Sequence, residues 1–445
     1  MKDPAKMRLT RRAALLAAIL PLGGCSLYDT WFGSEKAKLP GTRVAIRAEA
    51  TTLVPDAGAP RVTLPAATAF ADWPQVGGTP AHSGGHMQAR PELAAAWSAG
   101  IGYGTGYRQR ITASPVVAAG RVFTTDSDAR ISAFDATTGA QAWKADTRGK
   151  DDRSTNIGGG IGFADGTLYA ATGRADLIAF DAATGGERWR VTMATPARSA
   201  PTIAGGKIFV TTIDDSMSAY DAADGKRIWS QQAPAAETSM LGLPAPVYVE
   251  GIVIGGFSSG EVRAMRSGGG TSAWSDNLAA ARGRVSIADI AAIRGTPASA
   301  DGRLYAGGLG KLLVAIDLRT GRRLWEREVA VGEMPWVAGN FLFIVTVEGT
   351  VAALSRVDGR VVWTLGLDRF EDMEKQRDPI VWTGPVLAGE RLYVAGSNGK
   401  LVTINPLDGK QLAQRDLPSG AALAPVPAAG ALYIVTADGT LTCLR

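Results

Sequence analysis

The stretch DAATGGERW, residues 181–189, decides the fold because the chain repeats it. DATTGAQAW stands at 135–143, and DAADGKRIW stands at 221–229. A catalytic motif is usually needed once, whereas a motif that recurs at a steady spacing is typical of a repeat architecture. The recurrence therefore indicates a repeat protein.

The pattern occurs seven times, each with a glycine four places after its first residue. The first positions are Asp135, Asp181, Asp221, Arg266, Asp317, Ser355 and Asn405, and the glycines are Gly139, Gly185, Gly225, Gly270, Gly321, Gly359 and Gly409. A tryptophan stands eight places on in six copies, and Ala413 takes its place in the last. Neighbouring copies start 38 to 51 residues apart, a period that fits one four-stranded propeller blade.

Each part of the motif has a physical role in a turn between two strands. An aspartate that starts a turn can accept hydrogen bonds from backbone N–H groups further along. A glycine at the far side adopts a positive φ at little steric cost. The tryptophan on the following strand is predicted to dock against the next blade and bury the shared surface. The predicted docking residues are Trp97, Trp143, Trp189, Trp229, Trp274, Trp325 and Trp363.

The final repeat, residues 424–445, stops after three strands. A matching fourth strand, LAAAWSAGI at 93–101, lies before the first repeat and carries Trp97. Pairing the two would protect open strand edges. We therefore predict an all-β, eight-bladed β-propeller of four-stranded antiparallel blades, with the ring closed by the N-terminal strand and the propeller domain at 73–445.

The start of the chain predicts export and a lipid anchor. Basic residues precede an apolar run too short to span a membrane, as in a signal peptide at 1–24. The run ends in LGGC at 22–25, which resembles the lipobox of bacterial lipoproteins and implies lipidation of Cys25. Residues 25–72 are then a mostly extended tether, and partial packing of it on the propeller stays open. Sec and twin-Arg export both remain open.

Removing residues 1–24 lowers the net charge from which a nucleic-acid partner could be predicted. They carry five basic residues and one acid, a net of +4 out of +5 for the chain, so about +1 remains. Nothing in that balance indicates a nucleic-acid surface. With Cys25 lipidated, Cys443 is the remaining cysteine, so no structural disulfide is expected.

Two histidines, His82 and His86, lie four apart within DWPQVGGTPAHSGGHMQAR at 72–90. A zinc site would need further ligands, and the glycines between the histidines favour a loop. We predict no metal site, and we interpret this segment as covering one end of the propeller.

The repeat resembles the tryptophan-docking motif of the pyrroloquinoline quinone (PQQ) propeller superfamily. One branch contains quinoprotein alcohol dehydrogenases, which hold PQQ and calcium and typically carry an adjacent cysteine pair. This chain has no such pair and lacks their long inserts. The lipobox, the tether and the bare eight repeats resemble the BamB family, lipoproteins of the outer-membrane β-barrel assembly (BAM) machinery.

This resemblance implies a non-enzymatic scaffold without a cofactor, anchored at the periplasmic face of the outer membrane. Its implied partners are the POTRA domains of BamA, other BAM lipoproteins and nascent outer-membrane proteins. Two alternatives stay open. One is a periplasmic PQQ-dependent dehydrogenase, and the other is a propeller that binds peptidoglycan or another envelope component.

In that family, loops around blades three to five bind BamA. The matching connectors here are ETSMLGLPAP at 237–246 and RGRVSIADIAAIRGTP at 282–297. Apolar anchors with a polar rim predict the contact, although local packing against the blade ends remains an alternative. The candidates are Ser239, Met240, Leu241, Gly242, Arg284, Ile287, Asp289, Ile290 and Arg294.

These connectors depart from the familiar pattern, where a Leu–Arg step and paired acids occupy the loops, so the individual contacts do not transfer directly. A further charged insert at 366–384 is a second candidate contact or a solvated connector, and we interpret it as a helical turn.

Replacing Cys25 tests the lipobox. Cys25→Ser should leave the protein unprocessed or released, because the thiol that accepts the lipid is gone. Metabolic labelling with palmitate measures this directly, and labelling that persists in the variant contradicts the assignment.

Overall fold

The computed structural model describes residues 53–445 except 91, 150, 151, 153, 235, 237–241 and 279–291. Within this part of the chain there are thirty-four strands and no helix, and therefore no helix long and apolar enough to cross a membrane. The strands form eight four-stranded antiparallel sheets and one two-stranded hairpin. The prediction of an all-β propeller with eight four-stranded blades is confirmed.

Blades one to four take their strands in chain order, from the innermost strand to the outermost. Preceding them is β1 (Ala95–Gly100). The strands of these blades are β2 (Val116–Ala118), β3 (Arg121–Thr125), β4 (Ile131–Asp135), β5 (Gln141–Ala145); β6 (Gly159–Ala164), β7 (Thr167–Thr172), β8 (Asp176–Asp181), β9 (Glu187–Thr192); β10 (Thr202–Ala204), β11 (Lys207–Thr211), β12 (Ser216–Asp221), β13 (Arg227–Gln232); β14 (Val247–Val249), β15 (Ile252–Gly256), β16 (Glu261–Arg266) and β17 (Ser272–Asn277).

Blades five to seven follow the same order, with a hairpin inserted before blade seven. Their strands and the first three of blade eight are β18 (Ala298–Ala300), β19 (Arg303–Gly307), β20 (Leu313–Asp317), β21 (Arg323–Arg327); β22 (Trp336–Ala338), β23 (Phe341–Val345), β24 (Thr350–Ser355), β25 (Val361–Gly366); the hairpin β26 (Phe370–Asp372) and β27 (Arg377–Pro379); β28 (Trp382–Ala388), β29 (Arg391–Gly396), β30 (Lys400–Ile404), β31 (Gln411–Asp416); and β32 (Val426–Ala428), β33 (Ala431–Val435) and β34 (Thr440–Leu444).

The eighth sheet has the order β1-β34-β33-β32. β1 pairs antiparallel with β34, with Trp97 opposite Cys443. Blade eight also contacts blade one, because the side chains of Trp97 and Tyr433 both donate to the carbonyl oxygen of Ala136. The outermost strand of this blade thus comes from the N-terminal side of the repeats.

The antiparallel blades give the ring two distinct faces. In each blade the turn between its second and third strands lies at the same end as the connector to the next blade. We call this the connector face. The turns between first and second strands, and between third and fourth strands, lie at the other end, which we call the hairpin face.

The repeat motif forms the third turn of each of the first seven blades. All seven motif glycines have φ between 71° and 76°. In the first blade, Asp135 Oδ1 accepts hydrogen bonds from the backbone N–H of Thr137 and Thr138 at 3.0 and 2.8 Å. These bonds, with that from the Thr138 hydroxyl, lower the pKa of Asp135. The turn geometry thus follows from the residues that the motif keeps.

In every blade except blade seven, the tryptophan of the outermost strand lies on the motif glycine of the next blade. A Cβ on Gly185 would stand 2.7 Å from the ring of Trp143, and one on Gly359 would stand 2.7 Å from Trp325. The indole N–H of Trp143 donates to the carbonyl oxygen of Ala182, just after the motif aspartate, at 3.0 Å. The contact therefore combines ring packing with one hydrogen bond.

The core lies between neighbouring blades and consists mainly of side chains from the first, second and third strands, together with the tryptophans of the fourth strands. Aromatic residues of the second strands contact the tryptophan of the same blade, as in Phe209–Trp229 and Tyr305–Trp325, whose ring centroids are both 6.1 Å apart. Tilted pairs at this distance suit the quadrupoles of the rings. The apolar layers thus join the blades into one body.

The charged insert between blades six and seven forms a β-hairpin. Phe370 pairs with Pro379 and Asp372 pairs with Arg377 around a four-residue turn. The helical turn that we predicted for this segment is wrong. The short strands pair with each other because the insert, which lies outside the four-stranded blades, has no blade edge to extend.

Trp97→Ala tests how much the spliced blade depends on its outermost strand. Trp97 is half-buried, packs on Gly139 and donates to Ala136. We expect the free energy of unfolding to fall by about 3 kcal/mol, near the lower end for truncation of a tryptophan. Thermal and urea unfolding measure the change.

Leu412→Ala in the exposed strand β31 is the matched control. Its side chain is 47% exposed, so its truncation should change stability by no more than about 0.5 kcal/mol. Equal stability of the wild type and the Trp97 variant would show that β1 does not hold the ring together.

Candidate protein-binding face

The connector face carries the parts of the chain that differ most between blades. The connectors end at the prolines and small residues that begin each innermost strand, while their middle parts vary in length and composition. Loops held by a rigid scaffold are where binding residues concentrate. This face is therefore the candidate binding surface of the propeller.

Most of the predicted contact residues lie outside the described residues. These are Ser239, Met240, Leu241, Arg284, Ile287, Asp289 and Ile290, and the predicted lipidation residue Cys25 also lies outside them. Gly242 and Arg294 are described, and each stands at the end of its connector where the chain returns to the blade.

The connector that contains Gly242 is attached to blade three. The N–H of Leu243 donates to the carbonyl oxygen of Arg198, and the hydroxyl of Thr211 donates to that of Pro244. No atom lies within 4 Å of the place where a Cβ of Gly242 would stand. Gly242 is therefore partly exposed, and the next residue, Leu243, is hydrogen-bonded to the chain at the base of blade three.

The connector that contains Arg294 is attached to blades four, five and six. The N–H of Ile293 donates to the carbonyl oxygen of Phe257, and the N–H of Leu309 donates to that of Ala292. The backbone of Gly295 lies against Glu333, because a Cβ there would stand 2.4 Å from its carbonyl oxygen. The base of this connector thus has a defined position.

Arg294 forms the one ion pair described at this base. Its guanidinium lies 3.9 Å from the carboxylate of Glu333, with the arginine side chain 43% exposed and the glutamate side chain 18% exposed. Burial raises the pKa of Glu333 to about 7, although the charge of Arg294 lowers it. Arg294 can therefore reach a partner while remaining paired.

A segment that the repeat motif does not predict crosses all eight blades. Residues 70–87, here called the belt, run around the innermost strands, inside the ring and toward its hairpin face. The belt forms a hydrogen bond with each blade in turn, and from blade one to blade eight the pairs are Trp73–Val117, Pro74–Phe163, Gln75–Ile203, Pro80–Tyr248, Ala81–Ser299, Gly85–Val337, Met87–Leu387 and Phe70–Ala429.

Close packing holds the belt in place. Trp73 stacks on Trp336 of blade six with ring centroids 5.9 Å apart and an interplanar angle of 3°. A Cβ on Gly78 would stand 2.5 Å from Trp73, and one on Gly84 would stand 2.4 Å from Trp336. The glycines of this segment are thus required where its backbone passes the two indoles.

Both histidines of the belt are used for backbone hydrogen bonds. His82 Nδ1 lies 3.1 Å from the carbonyl oxygen of Pro297, and His86 Nδ1 lies 2.8 Å from that of Pro65. His86 Nε2 accepts from the N–H of Glu390. Among the described residues, no group of three or more His, Cys, Asp or Glu side chains could hold a metal ion.

His82 connects the belt to the connector that contains Arg294. Its ring is fully buried, and Pro297 is three residues from Arg294. Nδ1 donates to a carbonyl oxygen, so the neutral ring leaves Nε2 as an acceptor with no partner in the described residues. Burial lowers the pKa of His82 from 6.5 to about 4.

The sequence profile of one family matches most of the chain. The family is described as "Outer membrane protein assembly factor BamB", and its matches cover residues 77–155, 127–365 and 348–445. A relative with this name from Yersinia pestis is 28% identical over 353 residues, which is 78% of this chain and 87% of the relative. The similarity thus extends over nearly all the blades.

Two solved structures share the fold. BamB from Moraxella catarrhalis has a TM-score of 0.67 at 22% identity and covers 80% of this chain and 100% of its own. Quinohemoprotein alcohol dehydrogenase from Comamonas testosteroni has a TM-score of 0.65 at 15% identity and covers 85% and 81%. The fold alone therefore does not distinguish an assembly factor from a dehydrogenase, whereas the family match favours the assembly factor.

The buried His82 predicts that stability falls on acidification. Above pH 6.5 the ring is neutral in both states. Between pH 6.5 and about 4 the unfolded chain binds a proton that the folded chain does not, so the free energy of unfolding falls. The pKa difference corresponds to about 3 kcal/mol by the time the pH is below 4.

His82→Asn removes this titration and keeps an N–H for Pro297. Urea unfolding at a series of pH values should show a shallower acid loss in the variant than in the wild type. Other titrating groups, including Glu333, are common to both proteins and cancel in the difference. Parallel pH profiles would contradict a buried neutral His82.

Proposed function

Because this chain belongs to the family of the outer membrane protein assembly factor BamB, we propose that it is a non-enzymatic scaffold in the assembly of β-barrel proteins into the outer membrane. The observation that carries the proposal is the family match across residues 77–445. In this proposal the BamA POTRA domains dock on the connector face, and other BAM lipoproteins belong to the same complex.

The construction of the propeller supports a docking role. The blades form a rigid ring, and the bases of the two candidate connectors are attached to blades three to six by backbone hydrogen bonds. Rigid partners lose little freedom on association, so binding energy concentrates in a few residues. Leu241 and Ile290 are the proposed apolar anchors, and Arg294 is the proposed charged contact at their edge.

The belt supports a scaffold over a dehydrogenase. A cofactor at the centre of the ring would share that space with the belt, which forms a hydrogen bond with every blade. Gln75 and His82 are both buried there and bonded to blade backbone. The inside of the ring is thus occupied by the protein's own chain toward the hairpin face.

The proposed location is the periplasmic face of the outer membrane, with a lipid on Cys25. The described chain begins at Leu53, which is buried in an apolar cluster that also contains Trp325 and joins blades five and six. From Cys25 to Leu53 there are twenty-eight residues, which span about 90 Å at full extension. That reach is enough for a tethered propeller to meet a partner in the same membrane.

Leu241→Asp combined with Ile290→Asp tests the docking residues. A charge in the apolar centre of an interface is costly to desolvate, whereas on an exposed loop of the free protein it costs little. We expect co-purification of BamA from detergent-solubilised envelopes to be lost while the unfolding temperature stays nearly unchanged.

Val357→Asp combined with Leu407→Asp is the matched control, because these exposed apolar residues lie in turns of the hairpin face. This control should still capture BamA. Wild-type capture by the Leu241/Ile290 variant would exclude these connectors, and its unfolding would show that the residues pack locally. Dye reduction by the protein with PQQ, calcium and an alcohol would instead support the dehydrogenase.

A further inference from the structure

A second feature of the connector face lies between blades eight and one. Residues 102–110, GYGTGYRQR, join β1 to the innermost strand of blade one and contain two tyrosines and two arginines but no acid. We call this segment the cationic loop. The proposed BamA contact spans blades three to five of the eight, so the cationic loop between blades eight and one lies across the channel from it.

The cationic loop is held by its neighbours. The N–H of Tyr103 donates to Asp126 at 3.0 Å, and the N–H of Thr105 donates to the carbonyl oxygen of Ala437 at 2.6 Å. A Cβ on Gly102 would stand 2.4 Å from Asp126, and one on Gly104 would stand 2.7 Å from Ala437. Two blades therefore fix the first half of the loop before any ligand arrives.

The same loop exposes side chains that favour binding. Tyr107 is 95% exposed and Tyr103 is 52% exposed. The guanidinium of Arg108 lies 5.5 Å from the ring centroid of Tyr107, and that of Arg130 lies 4.7 Å from the ring of Tyr103. Tyrosine and arginine are enriched in the residues that contribute most to protein interfaces.

The positive charge of the loop is not neutralised locally. Among the described residues, no ion pair involves Arg108 or Arg110. The nearby carboxylates are engaged elsewhere. Asp126 accepts from the backbone N–H groups of Asp128 and Arg130, and Asp438 accepts from the hydroxyl groups of two threonines in its own turn. The two arginines are thus available to an acidic ligand.

We propose that the cationic loop binds an acidic, extended segment of a second polypeptide, separate from the partner that docks on blades three to five. The tyrosine rings pack on its apolar side chains, and Arg108 and Arg110 pair with its carboxylates. The identification of this polypeptide as an unfolded barrel protein rests on the proposed function. The proposal that the loop binds an acidic peptide does not depend on the proposed function.

The loop suits a narrow strand better than a membrane surface. The exposed acidic side chain of Asp146 stands beside Arg130, at 3.4 Å, and Asp438 lies in the adjacent turn of blade eight. A flat anionic membrane would have to cover these carboxylates together with the loop, whereas a single peptide strand can contact the arginines without covering them. The ligand therefore needs a small footprint.

The test measures binding of a short fluorescent peptide, in which aspartate alternates with threonine and phenylalanine, to the purified propeller. A variant with Tyr107→Ala, Arg108→Glu and Arg110→Glu should bind at least about tenfold more weakly, because a stacking surface and two charges are lost. Binding to the wild type should weaken as salt is added. A peptide with lysine in place of aspartate should not bind.

Arg319→Glu with Arg322→Glu is the matched control, since both arginines are exposed in a turn of the hairpin face. It should bind the aspartate peptide like the wild type. If the triple variant unfolds, Arg108→Gln with Arg110→Gln replaces it and should still weaken binding. Equal binding by wild type and loop variants overturns the proposal, as does binding of both peptides alike.

Two further outcomes separate peptide binding from membrane binding and from BamA docking. Binding to phosphatidylglycerol vesicles without binding to the aspartate peptide would show a membrane-binding loop and overturn the proposal. BamA capture should be retained by the triple variant, and loss of BamA with unchanged peptide binding would also overturn it. The peptide assay contains no BamA. Its result therefore does not depend on whether BamA docks on blades three to five.

Discussion

The contact between a tryptophan and the glycine turn of the next blade is the interaction on which the rest of the ring depends. Both residues are required. The glycine needs a positive φ, as Gly225 shows at 72°, and any Cβ there would collide with Trp189 at 2.7 Å. A larger residue would therefore be strained and would also push the indole away. This double constraint explains why the glycine occurs in all seven motifs while the first residue varies.

The one copy without a tryptophan follows from the same contact. Ala413 lies on β31, the outermost strand of blade seven, so its side chain would face the third turn of blade eight. Blade eight has no such turn, because its outermost strand β1 comes from the other end of the repeats. A tryptophan at 413 would have no glycine to cover, and all six residues of β31 are exposed. The missing tryptophan at 413 and the N-terminal origin of β1 therefore have the same structural cause, which is that blade eight has no third turn.

The repeat contacts could be predicted from sequence, whereas the belt could not. Blade strands are local hairpins whose turns contain Asp and Gly at fixed positions, so a single motif predicts most of the fold. The belt pairs with partners three hundred residues away or more, as in Met87 with Leu387 and Phe70 with Ala429, and it has no internal period. The sequence of residues 72–90 predicts only a loop that covers one end of the propeller, because its glycines do not show which strands it pairs with. The candidate connectors vary between blades for the same reason, since no repeat contact constrains their middle parts.

The belt connects one of these variable connectors to the ring of blades. Pro297 accepts a hydrogen bond from His82, and the same connector positions Arg294 beside Glu333. Arg294, the proposed charged contact, is therefore positioned by a connector that is hydrogen-bonded to a segment touching every blade. Because the belt's hydrogen bonds are distributed over eight blades, displacing any one blade strains the others. Rigidity at the base of this candidate connector is thus a property of the whole ring, and a propeller can present a small surface without a large local core.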